Sequence, residues 1–327
     1  MSRLDKFNSL YKLSKLDNKT SKKLAIMVDV FWENIRYKTE IQDYFQYEFY
    51  KLKSCERRKY MTSHRLRQTI NICNDRSKRA IFDDKALFNK TFSEYIKRDW
   101  LDLTEASYDE FKSFLDKHQS FFSKSKIGMF GKNAGRFDLT SKEDDKDIKN
   151  LYEDLREKEC IIEELIDQNE ELKTFNDTSV NTLRIVTLLT KEEKVKIMAA
   201  VLRIGRKGKT ADNFHHFGIA ATIDVEEGIV NTPGIDREFN RYISHPDSKK
   251  QIIGYKIAYW DKIVDLVKKA AMVVKEVRYI GWDVAIDKEG NIQLIEGNFG
   301  ADPDVTQMPN RTGAWPLFEK ELDKIKR

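Results

Sequence analysis

Gly281-Trp282-Asp283-Val284-Ala285-Ile286-Asp287, followed by Ile292-Gln293-Leu294-Ile295-Glu296-Gly297-Asn298, reads as two strands joined by a tight turn. Side chains alternate faces along a strand, so Glu296 and Asn298, two apart, share a face. Lys288-Glu289-Gly290-Asn291 has turn chemistry, with Gly and Asn able to take positive φ. A loop of even length places Asp283 directly opposite Glu296, and directly opposed residues point the same way. Two carboxylates that close repel unless a cation or a proton lies between them. Asp283, Glu296 and Asn298 form an all-oxygen set suited to Mg²⁺ carrying a nucleotide's phosphates. A hairpin ending in two solvated acids is the plainer alternative. Against it, Glu296 closes the apolar run Ile292, Leu294, Ile295, and Asp283 interrupts Trp282, Val284, Ala285, Ile286.

The whole chain suits one large domain or two smaller ones: 327 residues, 40% hydrophobic and 35% charged. No apolar run reaches the ~18 residues of a membrane span, and the N-terminus has no signal-peptide pattern. Cys55, Cys73 and Cys160 are scattered, with no Cys/His ligand spacing around them, so a reduced cytoplasmic protein without structural zinc is expected. Residues 1–80 hold 19 Lys or Arg against 9 Asp or Glu, whereas the remainder holds 40 against 45. So basic a segment attracts nucleotides, nucleotide sugars, nucleic acid or a lipid surface, or is simply a solvated helical face.

Residues 1–80 are expected to be helical: Leu24, Met27, Val28, Phe31 and Ile35 recur at helical spacing, as do Tyr44, Phe45, Phe49 and Leu52, and no Pro or Gly occurs before Gly128. A strand is expected near Trp100, strands on both sides of a Gly-bearing loop within Phe121–Leu139, and a charged helix over 141–158. Strands follow at Cys160–Ile166, Val180–Leu189 and Val195–Ile204. Residues 205–255 read as irregular, and Ile263, Val267, Ala270, Ala271 and Val274 mark an amphipathic helix before the hairpin. A helical start followed by antiparallel α and β units is an α+β chain.

Three further stretches carry candidate chemistry. In Phe121–Lys132, Lys124 ends an apolar run, and Gly128 and Gly131 permit a loop whose amides approach phosphate oxygens; any lysine-rich hairpin would look similar. In Cys160–Ile166, Glu163 and Glu164 end an apolar strand whose backbone could meet an adenine edge while the acids take ribose hydroxyls; an ordinary edge strand is the simpler account. Arg184 and Arg203 each sit inside apolar strands, where an Arg is costly without an anionic partner. Two of them in adjoining strands favour an anionic pocket.

In this order the pieces resemble the ATP-grasp superfamily, and most closely the sugar-transfer-associated ATP-grasp family, over roughly residues 80–315. The resemblance implies a helical basic region over 1–80 and an ATP-grasp domain over 81–327. Within that domain it implies a phosphate and adenine subdomain near 121–166, a metal and acceptor subdomain over 167–315, and ATP with Mg²⁺ between them. By position, Lys85 (after Asp84), Lys124, Gly128 and Gly131 would meet phosphates. Glu163, Glu164 and Ile166 would meet the nucleoside, and Asp283, Glu296 and Asn298 would hold magnesium. Asn181, Arg184, Arg203, Asp212 and Asn213 would face the acceptor, with Arg184, Arg203 and Lys124 as catalytic groups. Gly281 stands where many ATP-grasp ligases carry an Arg two residues before the first metal Asp, a charge Arg184 or Arg203 would then supply. Lys124-Ser125 replaces the usual Lys-Pro, and Lys126 competes with Lys124 for the same role.

The resemblance implies an ADP-forming carboxylate–amine ligase working through an acyl phosphate. Its substrates would be a small acid and an amine, with a nucleotide sugar or lipid-linked sugar as a further partner in polysaccharide biosynthesis. Contact with membrane-bound glycan machinery fits this reading, and a stable nucleic-acid partner is not expected. His215 and His216 are candidate bases. A kinase on the same ATP site, and a non-enzymatic basic module beside a degenerate site, are the rival readings. Removing Asp283 and Glu296 together is expected to stop ADP release with little unfolding.

Overall fold

The structure is a computed structural model that describes residues 2–17, 19–128, 134–139, 144–209, 212, 214 and 217–326. Gly131, Asn213, His215 and His216 lie outside the described residues. The N-terminal third is helical: α1 (Arg3–Leu13), α2 (Thr20–Tyr37), α3 (Ile41–Gln46), α4 (Ser54–Arg57), α5 (Ser63–Cys73), α6 (Ala80–Asp83) and α7 (Lys85–Thr91). Local chemistry sets the ends. Ser2 and Asp5 close a capping box on α1, and α2 stops at Lys38 in a left-handed conformation. This region shares cores with the rest of the chain. Phe7, Tyr11, Val30, Phe45 and Phe49 pack in one apolar cluster with Val201, Ala220 and Met308. The spacing of Leu24, Val28, Phe31 and Ile35 marks a helix correctly, yet the buried residues of α2 are Ile26, Val30 and Glu33.

Next comes a small sheet with two helices: β1 (Trp100–Asp102), α8 (Tyr108–Lys117), β2 (Ser120–Ser125), β3 (Gly135–Asp138), α9 (Asp145–Glu157) and β4 (Cys160–Glu164), the strands ordered β1-β4-β2-β3. Phe111, Phe114, Tyr152 and Leu155 of the helices pack on Phe121, Cys160 and Ile162. Lys124 pairs in register with Ile161, and Phe122 with Glu163, so these four share the opposite face. Interior β4 is not the ordinary edge strand that the sequence also allowed.

The chain then forms α10 (Glu170–Lys173), β5 (Thr182–Leu189), β6 (Val195–Ile204), β7 (Ile219–Ile223), β8 (Gly234–Ile235), β9 (Arg241–Tyr242), α11 (Trp260–Ala270), β10 (Tyr279–Ile286), β11 (Ile292–Asn298), α12 (Asp304–Gln307) and α13 (Trp315–Lys326). The seven strands make an antiparallel sheet ordered β11-β10-β5-β6-β7-β8-β9. Leu183, Ile185, Leu202, Trp282 and Val284 line one face with α7 and α11, whereas Val186, Leu188 and Tyr279 pack with α5 and α13 on the other. β7 lies inside the stretch read as irregular. All five of its residues are buried, so it lacks the polar alternation that marks a half-exposed strand. Among the described residues no helix is long and apolar enough to cross a membrane.

Candidate active site

Asp283 lies directly opposite Glu296, as the sequence suggested, but by a different device. Ile286 pairs with Ile292, so the connection Asp287–Asn291 has five residues, an odd number. The register then skips Ile295: Val284 faces Leu294, and Asp283 faces Glu296. This one-residue bulge restores the parity that an even loop would have given. Gly290, at φ +82°, closes the turn, and Asn291 N–H donates to Asp287 Oδ1 at 2.8 Å.

Register across the sheet assembles a polar row. Glu296 faces Asp283, Asp283 faces Arg184, and Arg184 faces Val201, two residues from Arg203 on β6. Arg184 Nε donates to Asp283 Oδ1, and its NH2 donates to Oδ2 at 3.1 Å. Arg203 NH1 donates to the same Oδ2 at 2.9 Å, and Arg203 NH2 to Asp212 Oδ1 at 2.7 Å. Asp212 in turn accepts from the Thr182 amide at 2.9 Å. Both arginines are thus locked on carboxylates. Asp283 takes the charge of Arg184 and shares Arg203 with Asp212, which corrects the expectation that they chiefly address an acceptor. Arg203 Nε is buried without a partner among the described residues.

Gly281 explains how Arg184 fits. A Cβ there would stand 2.6 Å from the Cβ of Ala301 and 3.4 Å from Cδ of Arg184. The missing side chain is the space that Arg184 and Ala301 fill, and Arg184 brings its charge to Asp283 from the neighbouring strand.

Burial opposes ionisation of Asp283, but Arg184 and Arg203 outweigh it and bring the carboxyl down to about 2. Glu296 is pushed up, first by its enclosure and then by the Asp283 charge it faces, with Lys124 pulling the other way. Asn298 Nδ2 donates to the Gly281 carbonyl at 3.3 Å. Its Oδ1 has no donor among the described residues. Asp283 Oδ1 accepts a single hydrogen bond, leaving it a lone pair. Asp283 and Glu296 are close enough to share a proton and repel when both are ionised, so hard oxygens from Asp283, Glu296 and Asn298 fit Mg²⁺ in that proton's place.

The other wall of the cleft is basic. Lys124 Nζ lies 2.7 Å from Glu163 Oε2, while Glu163 Oε1 accepts from Arg98 NH2 at 2.8 Å and from Asn89 Nδ2 at 3.1 Å. Burial would raise Glu163, yet Arg98 and Lys124 hold it far below the usual carboxylate range. Both Glu163 oxygens are therefore occupied, and its expected role as a ribose acceptor gives way to one of aiming Lys124. Glu164 is turned aside as well: its Oε2 accepts from the Asp99 amide at 3.0 Å, and Asp99 also holds His118. Ile166 lies beyond the paired part of β4, on the connector to the large sheet, where its backbone is not spent on β1 or β2. The competition between Lys124 and Lys126 resolves, because Lys126 Nζ is held by Asp102 at 2.8 Å. Lys85 Nζ donates to the Gly128 carbonyl at 2.9 Å. Burial and then the Lys124 charge depress its pKa, while Glu296 and Glu163 act in the opposite sense. Lys85, Lys124 and Glu296 are thus near enough to act on one another's charge.

Asn181 is not available to a substrate. Fully buried, its amide donates to Gln168 Oε1, Leu172 O and Asn176 O, and its carbonyl accepts from Gly205 N–H. It pins the segment entering β5. The sequence reading missed Arg98. Its NH1 also donates to Leu294 O at 2.7 Å and its NH2 to Ile295 O at 3.3 Å, so it holds the bulged edge of β11 while gripping Glu163. Lys97-Arg98-Asp99 looks like a solvated turn in sequence, and no spacing rule marks it.

Two antiparallel α+β layers, one presenting lysines and the other a carboxylate and amide set, define the ATP-grasp class. The chain belongs to the sugar-transfer associated ATP-grasp family, whose profile matches residues 139–325. The four-stranded sheet's first strands fall before that match. No curated protein matches the chain in sequence. Among solved structures it is similar to the ATP-grasp ligase PsnB complexed with precursor peptide PsnA2 and AMPPNP, at 14% identity and TM-score 0.48, covering 78% of this chain and 63% of that one. It is also similar to N5-carboxyaminoimidazole synthetase from Staphylococcus aureus complexed with ADP, at 10% identity and TM-score 0.43, covering 68% and 46%. The chain thus spans less than two thirds of the length of either.

Proposed function

We propose that the protein is an ATP- and Mg²⁺-dependent, ADP-forming ligase that joins a carboxylate to an amine. The observation carrying this reading is the row Glu296–Asp283–Arg184–Arg203, set across the cleft from Lys85 and Lys124. In the proposed reaction a substrate carboxylate oxygen attacks the γ-phosphorus of ATP, the bond to the β-phosphate oxygen breaks, and ADP leaves. The amine nitrogen then attacks the acyl carbon, inorganic phosphate leaves, and the nitrogen's proton passes to solvent. Lys124 shares one N–H with Glu163 and keeps two for phosphate oxygens, while Lys85 supports the same charge. Asp283, Glu296 and Asn298 would hold Mg²⁺, which when bound offsets phosphate charge. Arg184 NH1, free of protein partners among the described residues, is the contact offered to the acceptor. The task is positioning and charge neutralisation, with no side-chain nucleophile required.

The family supports a sugar-linked or amino-acid substrate in surface polysaccharide biosynthesis, supplied as a nucleotide sugar or lipid-linked sugar in the cytoplasm. The test is a thermal-shift screen of Mg-ATP against uronic acids and amino acids, followed by mass detection of the coupled product. A ligand at a hundred times its dissociation constant adds about 2.7 kcal/mol. An amide product with stoichiometric ADP supports the ligase, a stable phosphorylated acceptor favours a kinase, and the absence of any nucleotide shift rejects both.

A further inference from the structure

Helix α2 is apolar on the side that faces away from the protein. At 100° per residue, Leu24, Val28, Phe31, Trp32 and Ile35 fall in one sector of about 160° that also holds Thr20, Ser21, Ala25 and Met27 and no charge. Its five large side chains are 47–60% exposed. The stripe runs about 17 Å along the helix. Single exposed apolar residues are ordinary, but a continuous row containing Trp and Phe is not. Leu4 of α1, equally exposed, extends it, and a groove of about 590 Å³ between the helices is floored by Phe7, Met27 and Phe31 and rimmed by Arg3, Lys6 and Lys38.

The charge around the stripe is mainly positive: Glu40 also lines the groove, but it is paired with Arg67. The helix carries two carboxylates, and both are paired: half-exposed Asp29 with Arg57, and buried Glu33 with Arg57 and Arg58. Lys22, Lys23, Arg36 and Lys38 border the stripe, and none forms an ion pair among the described residues. A second copy docking through the same patch would bring these cations against themselves. A convex apolar helix edged by unpaired lysines and arginines has the form of a helix lying in a membrane interface, its apolar side chains among acyl chains and its cations level with phosphates.

We propose that the outward face of α2, with the start of α1, docks the protein on an anionic phospholipid surface. The proposal does not rest on the ligase reading. Its test is flotation of the whole protein with vesicles of phosphatidylcholine alone and of phosphatidylcholine mixed with phosphatidylglycerol. The expected result is binding to the mixed vesicles at least about tenfold stronger than to phosphatidylcholine. The double variant Phe31→Ser, Trp32→Ser should weaken it about tenfold or more, as should Lys22→Glu with Arg36→Glu. Brominated lipid should quench the Trp32 fluorescence, identified by its loss in Trp32→Phe. These side chains are exposed and none belongs to the candidate active site, so nucleotide-induced thermal shifts should be unchanged in every variant. Equal binding to both vesicles, undiminished binding by the serine variant, or no binding would overturn the proposal. So would a dimer in sedimentation velocity that the serine variant converts to monomer.

Discussion

The two walls of the cleft solve the same electrostatic problem differently. On each, a buried carboxylate is held ionised by two cations: Glu163 by Arg98 and Lys124, and Asp283 by Arg184 and Arg203. Glu163 stands alone, so its cations complete it and the result is a closed clamp. Asp283 has Glu296 directly across the strand pair, and the arginines do not reach far enough to satisfy both. One wall has its acid fully paired and cations to spare, and the other still calls for positive charge. A buried ion cluster becomes a ligand site where one acid is left over.

Breaking the finished wall should have the largest effect on the fold. Arg98→Ala leaves Glu163 short of a partner and strips two carbonyls from the edge of β11, so a loss of about 3–5 kcal/mol is expected in urea denaturation. Asp283→Ala belongs in the same range, since it strands buried Arg184 and leaves Arg203 with Asp212 alone. That departs from the expectation from sequence of little unfolding when Asp283 and Glu296 are removed together. A stability change below about 1 kcal/mol in Arg98→Ala would show that the clamp is not a joint between the walls.

Glu296→Gln separates the walls sharply. It removes the unsatisfied acid and leaves every arginine paired, so stability should hold within about 1 kcal/mol. Nucleotide-dependent ADP release should fall about a hundredfold, and the thermal shift given by Mg-ATP should disappear. An unchanged Mg-ATP shift would remove Glu296 from the ion site.

How much of this was legible in sequence differs between the walls. Strand parity put Glu296 and Asn298 on one face, an assumed even loop (five residues in fact, offset by the bulge) added Asp283, and Arg184 and Arg203 inside apolar strands pointed to buried anions. The actual anion, Asp283 itself, was not legible, because cross-strand register between β5, β6 and β10 depends on long-range pairing. Nor was the Ile295 bulge, which has no Gly or Pro to mark it. Arg98 escaped because its partners lie 65 and 196 residues away. The apolar spacing of α2 announced a helix but could not say which of its faces packs, since both carry large apolar residues.

Gly281→Ala probes how tightly the unfinished wall is built. Its methyl would meet Ala301 and the Arg184 stem, so a loss of about 1–3 kcal/mol is expected. Activity should fall more than stability, because the side chain most able to yield is Arg184. If Gly281→Ser behaves as wild type in both measurements, the space above residue 281 is not needed by Arg184.

The smallest effect is the pH dependence of stability, and its sign distinguishes the walls. Glu163 and Asp283 have carboxyls lowered by folding, so their stabilisation is present above the unfolded pKa and lost as pH falls through the folded value. Glu296 is raised, so its contribution is full below the unfolded value, near 4.5, and is lost as pH rises through the folded one. Magnesium-free protein should therefore lose stability relative to Glu296→Gln as pH climbs above 4.5, with a slope of at most about 1.4 kcal/mol per pH unit. A divalent ion takes the place of the shared proton, so magnesium should erase that difference and bind more tightly as pH rises. A pair of stability curves that stay parallel over this window would mean that Glu296 is already satisfied by the protein, and the contrast between the walls would vanish.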